Sequence, residues 1–303
     1  NLVNHFCKDD SYQVYATIHK QKKNQNAKAI YIAANLTKKD EVEKLFSVVK
    51  PDVVLNFAAV TTGSQDVVNN PALHVVDNTI LNTLVFDACH RYGAKQAVFA
   101  SCTVMNQNSD IPLKESDWDS GKEVFPAYFG VAHMKVFTER LCEFYSRLGK
   151  CSYAAIRISN CFGPGDKTDS SRSHLVPAQV KKVCDATDTL EIWGDGKSTK
   201  RDIIYIADVV SLVDKVIKKQ TVPFVRVNCG CGVARTVLEI VQAIQLAANK
   251  TDLKLVFDTS KPSIHTGFAL DCSLAKELFD WEPTVSLQDA LESTIDSYKS
   301  LNH

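Results

Sequence analysis

Short runs of β-branched and aromatic residues alternate with stretches of helical spacing through the first half of the chain, and this alternation constrains the fold most. Gln13 to Ile18, Ala29 to Ala33, Asp52 to Phe57, Gln96 to Ala100 and Tyr153 to Arg157 read as strands. Asp40 to Val49, Asn78 to Tyr92 and Val131 to Leu148 read as the helices between them. Strands that are apolar almost throughout must be covered on both faces, and parallel neighbours need a crossover connection. The pattern therefore predicts the α/β class: a doubly wound parallel sheet with helices on both sides.

The alternation loosens after Pro164, where Gly163 to Asp166 and Thr168 to Ser173 are rich in turn residues. The expected division places the main sheet in residues 1–165 and about 202–220, and a smaller substrate lobe in about 166–201 and 222–303. Thirty-five basic residues balance thirty-five acidic ones, so no net field favours nucleic acid or an anionic membrane. No apolar run approaches the roughly 20 residues that span a bilayer. Asn1 to Phe6 has neither the basic nor the apolar part of a secretory signal. The ten cysteines sit mostly singly inside apolar patterns, without a CxxC pair, and read as reduced thiols of a cytoplasmic protein with no bound metal.

A dinucleotide site in such a sheet needs a first strand, a glycine loop and a helix whose N-terminus meets the pyrophosphate. Asn1 to Phe6 already reads as that helix, so the first strand and the glycine loop are missing from this sequence. The next strand ends in His19 and Lys20. An acidic residue there would suit the ribose hydroxyl of NAD, whereas basic residues suit the extra phosphate of NADP. NADP is the expected cofactor, with NAD the alternative.

Several ordered motifs then carry a resemblance. Pro51 to Ala59 reads PDVVLNFAA, and Asn70-Pro71 is followed by Asn78. Phe99 to Met105 resembles an SSxxVY segment, and Arg157 to Asp166 resembles RxxNxYGPxD. Trp193-Gly-Asp-Gly and Arg201 to Asp208 resemble WGxG and RDFIxVxD, and Leu270 to Ser273 with Trp281-Glu-Pro283 complete the order. Together they resemble the extended short-chain dehydrogenases/reductases of the NAD-dependent epimerase/dehydratase family, whose cofactor domain is a Rossmann sheet. Ser173-His-Leu-Val-Pro-Ala178 is closest to the GDP-L-fucose synthase-like nucleotide-sugar epimerase/reductases.

The resemblance implies cofactor contacts from His19, Lys20, Asn35, Ala58, Ala59, Lys135 and Ser159. It implies substrate contacts from Asn160, Lys182, Trp193 and Arg201, and catalytic roles for Ser101, Lys135 and His174, the last as an acid in epimerisation. Thr103 stands where the fucose synthases carry a cysteine base, which puts full epimerisation in doubt. Cys102 and Thr103 leave no acidic residue to drive a dehydratase. The family's YxxxK pairing is also altered: Val131 stands four residues before Lys135, and Tyr128 stands seven before it. In a continuous helix seven residues rise about 10 Å, too far for direct pairing. A helix starting only after Gly130 would let Tyr128 fold back towards Ser101 and Lys135. Tyr128 is accordingly the expected catalytic hydroxyl.

Three functions compete. The first is an NADP-dependent nucleoside-diphosphate-sugar 4-keto reductase/epimerase, the second a C4 epimerase that retains its cofactor. The third is a catalytically silent relative that binds nucleotide or a partner. By the same resemblance the enzyme forms a homodimer through helices 78–92 and 131–148.

Overall fold

In the computed structural model, residues 1–19, 25–61, 69–168, 173–261 and 266–302 are described; Lys20 lies outside them. The central feature is a four-stranded parallel sheet in the order β3 (Val53–Asn56), β4 (Gln96–Ser101), β5 (Ser152–Ile158) and β9 (Phe224–Cys229). Side chains of these strands alternate between two cores, as the period of two along a strand requires. Val98, Ala154 and Ile156 enter one core with Val209, Leu212, Val213, Phe279 and the fully buried Trp281. Ala97, Phe99, Tyr153 and Ala155 enter the other with Val42, Phe46, Phe86 and Cys142. Deleting a ring such as Phe86, which no solvent reaches, would cost about 3–5 kcal/mol.

The second core is closed by α2 (Lys39–Val49), α3 (Val76–Tyr92) and α4 (Phe129–Ser146). The first is closed by α6 (Ile206–Lys219) and α8 (Ser273–Phe279), with Phe6 of α1 (Leu2–Phe6) joining it. α3 stops at Gly93, which takes a left-handed φ of 75° that a β-carbon would resist. Asp208 opens α6 and Lys218 and Lys219 close it, matching the helix dipole. Trp281 is pinned there by its indole N–H, which donates to the Asp208 carbonyl at 3.1 Å.

β1 (Tyr15–Ile18) and β2 (Ile30–Ala33) pair in parallel as a separate two-stranded sheet among the described residues. β6 (Asn160–Phe162), β8 (Lys200–Tyr205) and β10 (Ala234–Thr236) form a third sheet, and β7 (Thr189–Trp193) pairs with β11 (Lys254–Asp258). These pack with α5 (Leu175–Asp185), α7 (Val237–Ala247) and α9 (Leu287–Asn302) around a third core that includes Phe162, Val180, Ile192, Ile203, Ile240 and Leu291. α7 begins with a capping box: Thr236 Oγ1 accepts from the Glu239 amide at 3.1 Å, and Glu239 accepts from the Thr236 amide at 2.7 Å. The span 202–220 divides, with β8 in the third sheet and α6 on the central one. The span 222–303 likewise sends β9 and α8 to the central sheet and its core. Among the described residues, no helix is long and apolar enough to cross a membrane.

Candidate active site

β4 delivers Ser101 to the carboxyl end of the sheet, as a parallel strand should deliver a site residue. Its hydroxyl is buried and donates to Glu139 Oε1 at 2.6 Å. Glu139, from α4, also accepts from Arg157 Nε at 3.0 Å and Nη2 at 2.8 Å. Arg226 Nε comes within 2.6 Å of Glu139 Oε2 without hydrogen-bond alignment. Burial pushes the Glu139 carboxyl up, but its bonds and charge pairing with Arg157, aided by Arg226 and Ser101, hold it below its ordinary value. In the sequence Glu139 and Arg157 stand out only as marks of register, and nothing there signals that they close over Ser101.

Lys135 turns inward as well. Its ammonium donates to the Ala100 carbonyl at 2.8 Å and lies 4.6 Å from the centre of the Phe99 ring. Burial lowers its pKa, opposed by Cys102 and Glu139.

The expected break after Gly130 falls elsewhere. A 3-10 turn over Pro126–Tyr128 leads directly into α4, which starts at Phe129 and contains Gly130 in its first turn. Gly130 serves packing: a β-carbon there would come within 2.9 Å of Val75 Cγ2. Tyr128 itself is the N-cap residue, with φ −96° and ψ −3° in the right-handed helical region.

Tyr128 lines a pocket with Thr103, Asn106, Asn160, Arg201 and Phe268. Lys200, Asp202 and Thr266 contribute to the same wall. Burial raises the Tyr128 pKa, while the charge of Arg201 lowers it and Cys102 raises it. Arg201 is anchored by Nη1, which donates to the Thr266 carbonyl at 2.7 Å and the Lys200 carbonyl at 2.8 Å. Asn160 donates to the Asp202 carbonyl at 2.9 Å. The Asp202 carboxylate is held by the amides of Cys231, Gly232 and Leu270 at 2.8, 3.1 and 3.0 Å. Ser159 donates to Asp202 Oδ1 at 3.4 Å. Of the residues expected from sequence, the structure thus brings Tyr128, Asn160 and Arg201 together. Thr266 and Phe268 join them from a segment that carried no motif.

The remaining residues lie apart from this pocket. His174 is the N-cap of α5 and its side chain is exposed, yet the recess around it is dense enough for desolvation to lower its pKa against the charge of Asp166. Lys182 donates to the Glu191 carbonyl at 3.1 Å, and its ammonium lies 5.0 Å from the Trp193 ring centre. Trp193 donates to Glu191 Oε1 at 2.6 Å.

A cofactor would run along the carboxyl ends of β1, β3 and β4. The exposed His19 ends β1, and Ala58 and Ala59, small enough to admit a close approach, follow β3. The segment after β3 is clamped by Asn78, which accepts from the Val60 amide at 2.8 Å and donates to its carbonyl at 3.0 Å. Asn35 makes a local turn, accepting from the Thr37 amide at 3.1 Å and hydroxyl at 2.8 Å. The small side chains after β3 and the donor and acceptor of Asn35 suit a nicotinamide dinucleotide.

Comparison with known proteins identifies the family. The chain is 28% identical over 273 residues to a GDP-L-fucose synthase of Sinorhizobium fredii, covering 88% of this chain and 85% of that protein. It is 27% identical over 251 residues to a GDP-L-colitose synthase of Yersinia pseudotuberculosis, covering 81% and 80% respectively. The structure superposes on UDP-glucose 4-epimerase from Thermotoga maritima with a TM-score of 0.87 at 23% identity, covering 100% of this chain and 95% of that one. That likeness shows the doubly wound fold. The NAD dependent epimerase/dehydratase family matches residues 1–230, about three-quarters of the chain, and the chain belongs to that family.

Proposed function

We propose that this protein is an NADP-dependent reductase/epimerase acting on the 4-keto group of a nucleoside-diphosphate sugar. The observation that carries this reading is the convergence of Tyr128, Asn160 and Arg201 on one pocket, which Thr103 and Asn160 reach from just beyond the carboxyl ends of β4 and β5. The family is one of NAD(P)-dependent nucleotide-sugar enzymes, and the fucose and colitose synthases among the relatives support the reductive branch. His19 at the end of β1 favours the extra phosphate of NADP.

In this reading the cofactor supplies hydride to C4 when bound. Tyr128 gives its proton to the C4 oxygen, and Arg201 and Asn160 orient the substrate. Ala58, Ala59 and Ser159 border the cofactor, with Lys135 behind Ser101. His174, beside Asp166, is available for a proton exchange next to the carbonyl. Lys182 and Trp193 offer a cation and an aromatic face to the nucleotide end.

The stripe of Phe129, Phe137 and Phe144 exposed on α4, with Val76 and Ile80 exposed on α3, supports a homodimer through these helices.

One observation favours the silent reading instead: Val131 occupies the tyrosine register and Lys135 is bound to the Ala100 carbonyl. Incubation with NADPH and a nucleoside-diphosphate 4-keto sugar separates the readings. Stoichiometric loss of NADPH absorbance is expected. Epimer formed without net oxidation would indicate the retained-cofactor epimerase, and neither product nor oxidation would indicate the silent protein.

A further inference from the structure

The positions of the family's serine, tyrosine and lysine, here Ser101, Val131 and Lys135, do not line the pocket. Val131 has no proton to give. Ser101 has one hydroxyl proton, and it is directed to Glu139 Oε1 at 2.6 Å. A hydroxyl cannot donate that proton to a substrate oxygen at the same time. Glu139 keeps its hold, because Arg157 donates to both of its oxygens. The Lys135 ammonium donates to the Ala100 carbonyl, lies over the Phe99 ring and does not line the pocket.

A second set takes that position. Thr103, two residues beyond Ser101, lines the pocket and is buried. Tyr128 lines it from the turn before α4, and Arg201 lines it from β8. We infer that proton delivery has moved to Tyr128, with Arg201 in place of Lys135 as the cation that stabilises its phenolate and Thr103 as the neighbouring hydroxyl. The inference rests on the reductase reading and deepens it.

The chemistry balances in one step. The C4 carbonyl carbon accepts hydride from the reduced nicotinamide dinucleotide, and its π pair moves onto oxygen. The Tyr128 O–H bond breaks, its proton passes to that oxygen, and the phenolate is reprotonated from solvent. A buried phenolate is unfavourable without a cation beside it. A guanidinium stays charged at every working pH, and the two carbonyls that Nη1 grips fix its place. Burial raises the Tyr128 phenol and Arg201 opposes that rise. The other charged or titratable groups around the phenol are Lys200 and Asp202 from β8 and Cys102 from the end of β4. Arg201 is thus a positioning residue acting through Tyr128.

The test needs neither substrate nor turnover. Tyr128 is replaced by 3-nitrotyrosine, whose phenol titrates nearer neutral pH and absorbs apart from the other tyrosines, and its midpoint is read in otherwise native protein, R201Q, R201K and K135Q. The expected midpoint rises by about one pH unit in R201Q, returns close to the native value in R201K and is unmoved in K135Q. A midpoint that moves in K135Q and not in R201Q overturns the inference. Should R201Q fail to fold, R201K and K135Q still decide it, since a shift confined to K135Q overturns the inference equally. Loss of the reductase reading would appear as absent NADPH oxidation and would leave this titration readable.

Discussion

Ser101 Oγ donates to Glu139 Oε1 at 2.6 Å, so a hydroxyl expected to face substrate is turned into a buried ionic network. The network joins β4, α4 and β5 beneath the pocket floor through Arg157. Removing the Glu139 carboxylate would take from the buried Arg157 the counter-charge that it bonds directly. Glu139→Ala is expected to destabilise the fold by about 3–5 kcal/mol in urea denaturation. A loss under about 1 kcal/mol would mean that the network contributes little.

The same carboxylate gives the fold a pH dependence of known sign. The Glu139 pKa is depressed by folding, so its contribution is present above the ordinary carboxylate range and is lost as pH falls through the depressed folded value. Native protein should therefore lose stability on acidification below the unfolded carboxylate pKa of about 4.3 more steeply than Glu139→Gln does. Parallel stability curves for the two proteins would contradict this.

Cofactor choice follows from the end of β1. With His19 exposed there, NADPH should bind more tightly than NADH by about tenfold, roughly 1.4 kcal/mol. His19→Asp should narrow or reverse the ratio, and calorimetric titration reads both. Equal affinities in the native protein would remove the argument for NADP.

The α4 stripe is open to a simple disruption. Phe137→Asp places a charge on an exposed apolar face where a partner helix would pack, and the dimer should give way to monomer in sedimentation experiments. A native protein that is monomeric at all concentrations would show that this face has another use.

Much of the architecture was legible in the sequence, because strands buried on both faces show as short apolar runs. Gln96–Ser101 and Ser152–Ile158 fall within a residue or so of the expected spans. Asn160 and Arg201, singled out by their motifs, both line the pocket. What could not be read was side-chain direction. Ser101 and Lys135 sit at the expected positions, but Arg157 draws Glu139 over the serine and the Ala100 carbonyl captures the lysine. Gly130 looked like a hinge because glycine weakens helices, whereas the close approach of Val75 is the reason it is there. Thr266 and Phe268 reach the pocket from a loop with no periodic or motif signal.

The most direct measurement of the central claim is transfer of label from 4-deuterated NADPH to a nucleoside-diphosphate 4-keto sugar, followed by mass spectrometry of the sugar product. One deuterium at C4 of a 4-hydroxy product, formed in step with NADP, is the predicted result. Tyr128→Phe keeps the ring and removes the proton, so it should lower the rate of labelling by about 10²–10⁴-fold with little change in KM, the mark of an interaction made in the transition state. Full turnover in that variant would return the proton transfer to another group. A 4-hydroxy product without deuterium, or no product from any such sugar while NADPH still binds, would contradict the reductase assignment.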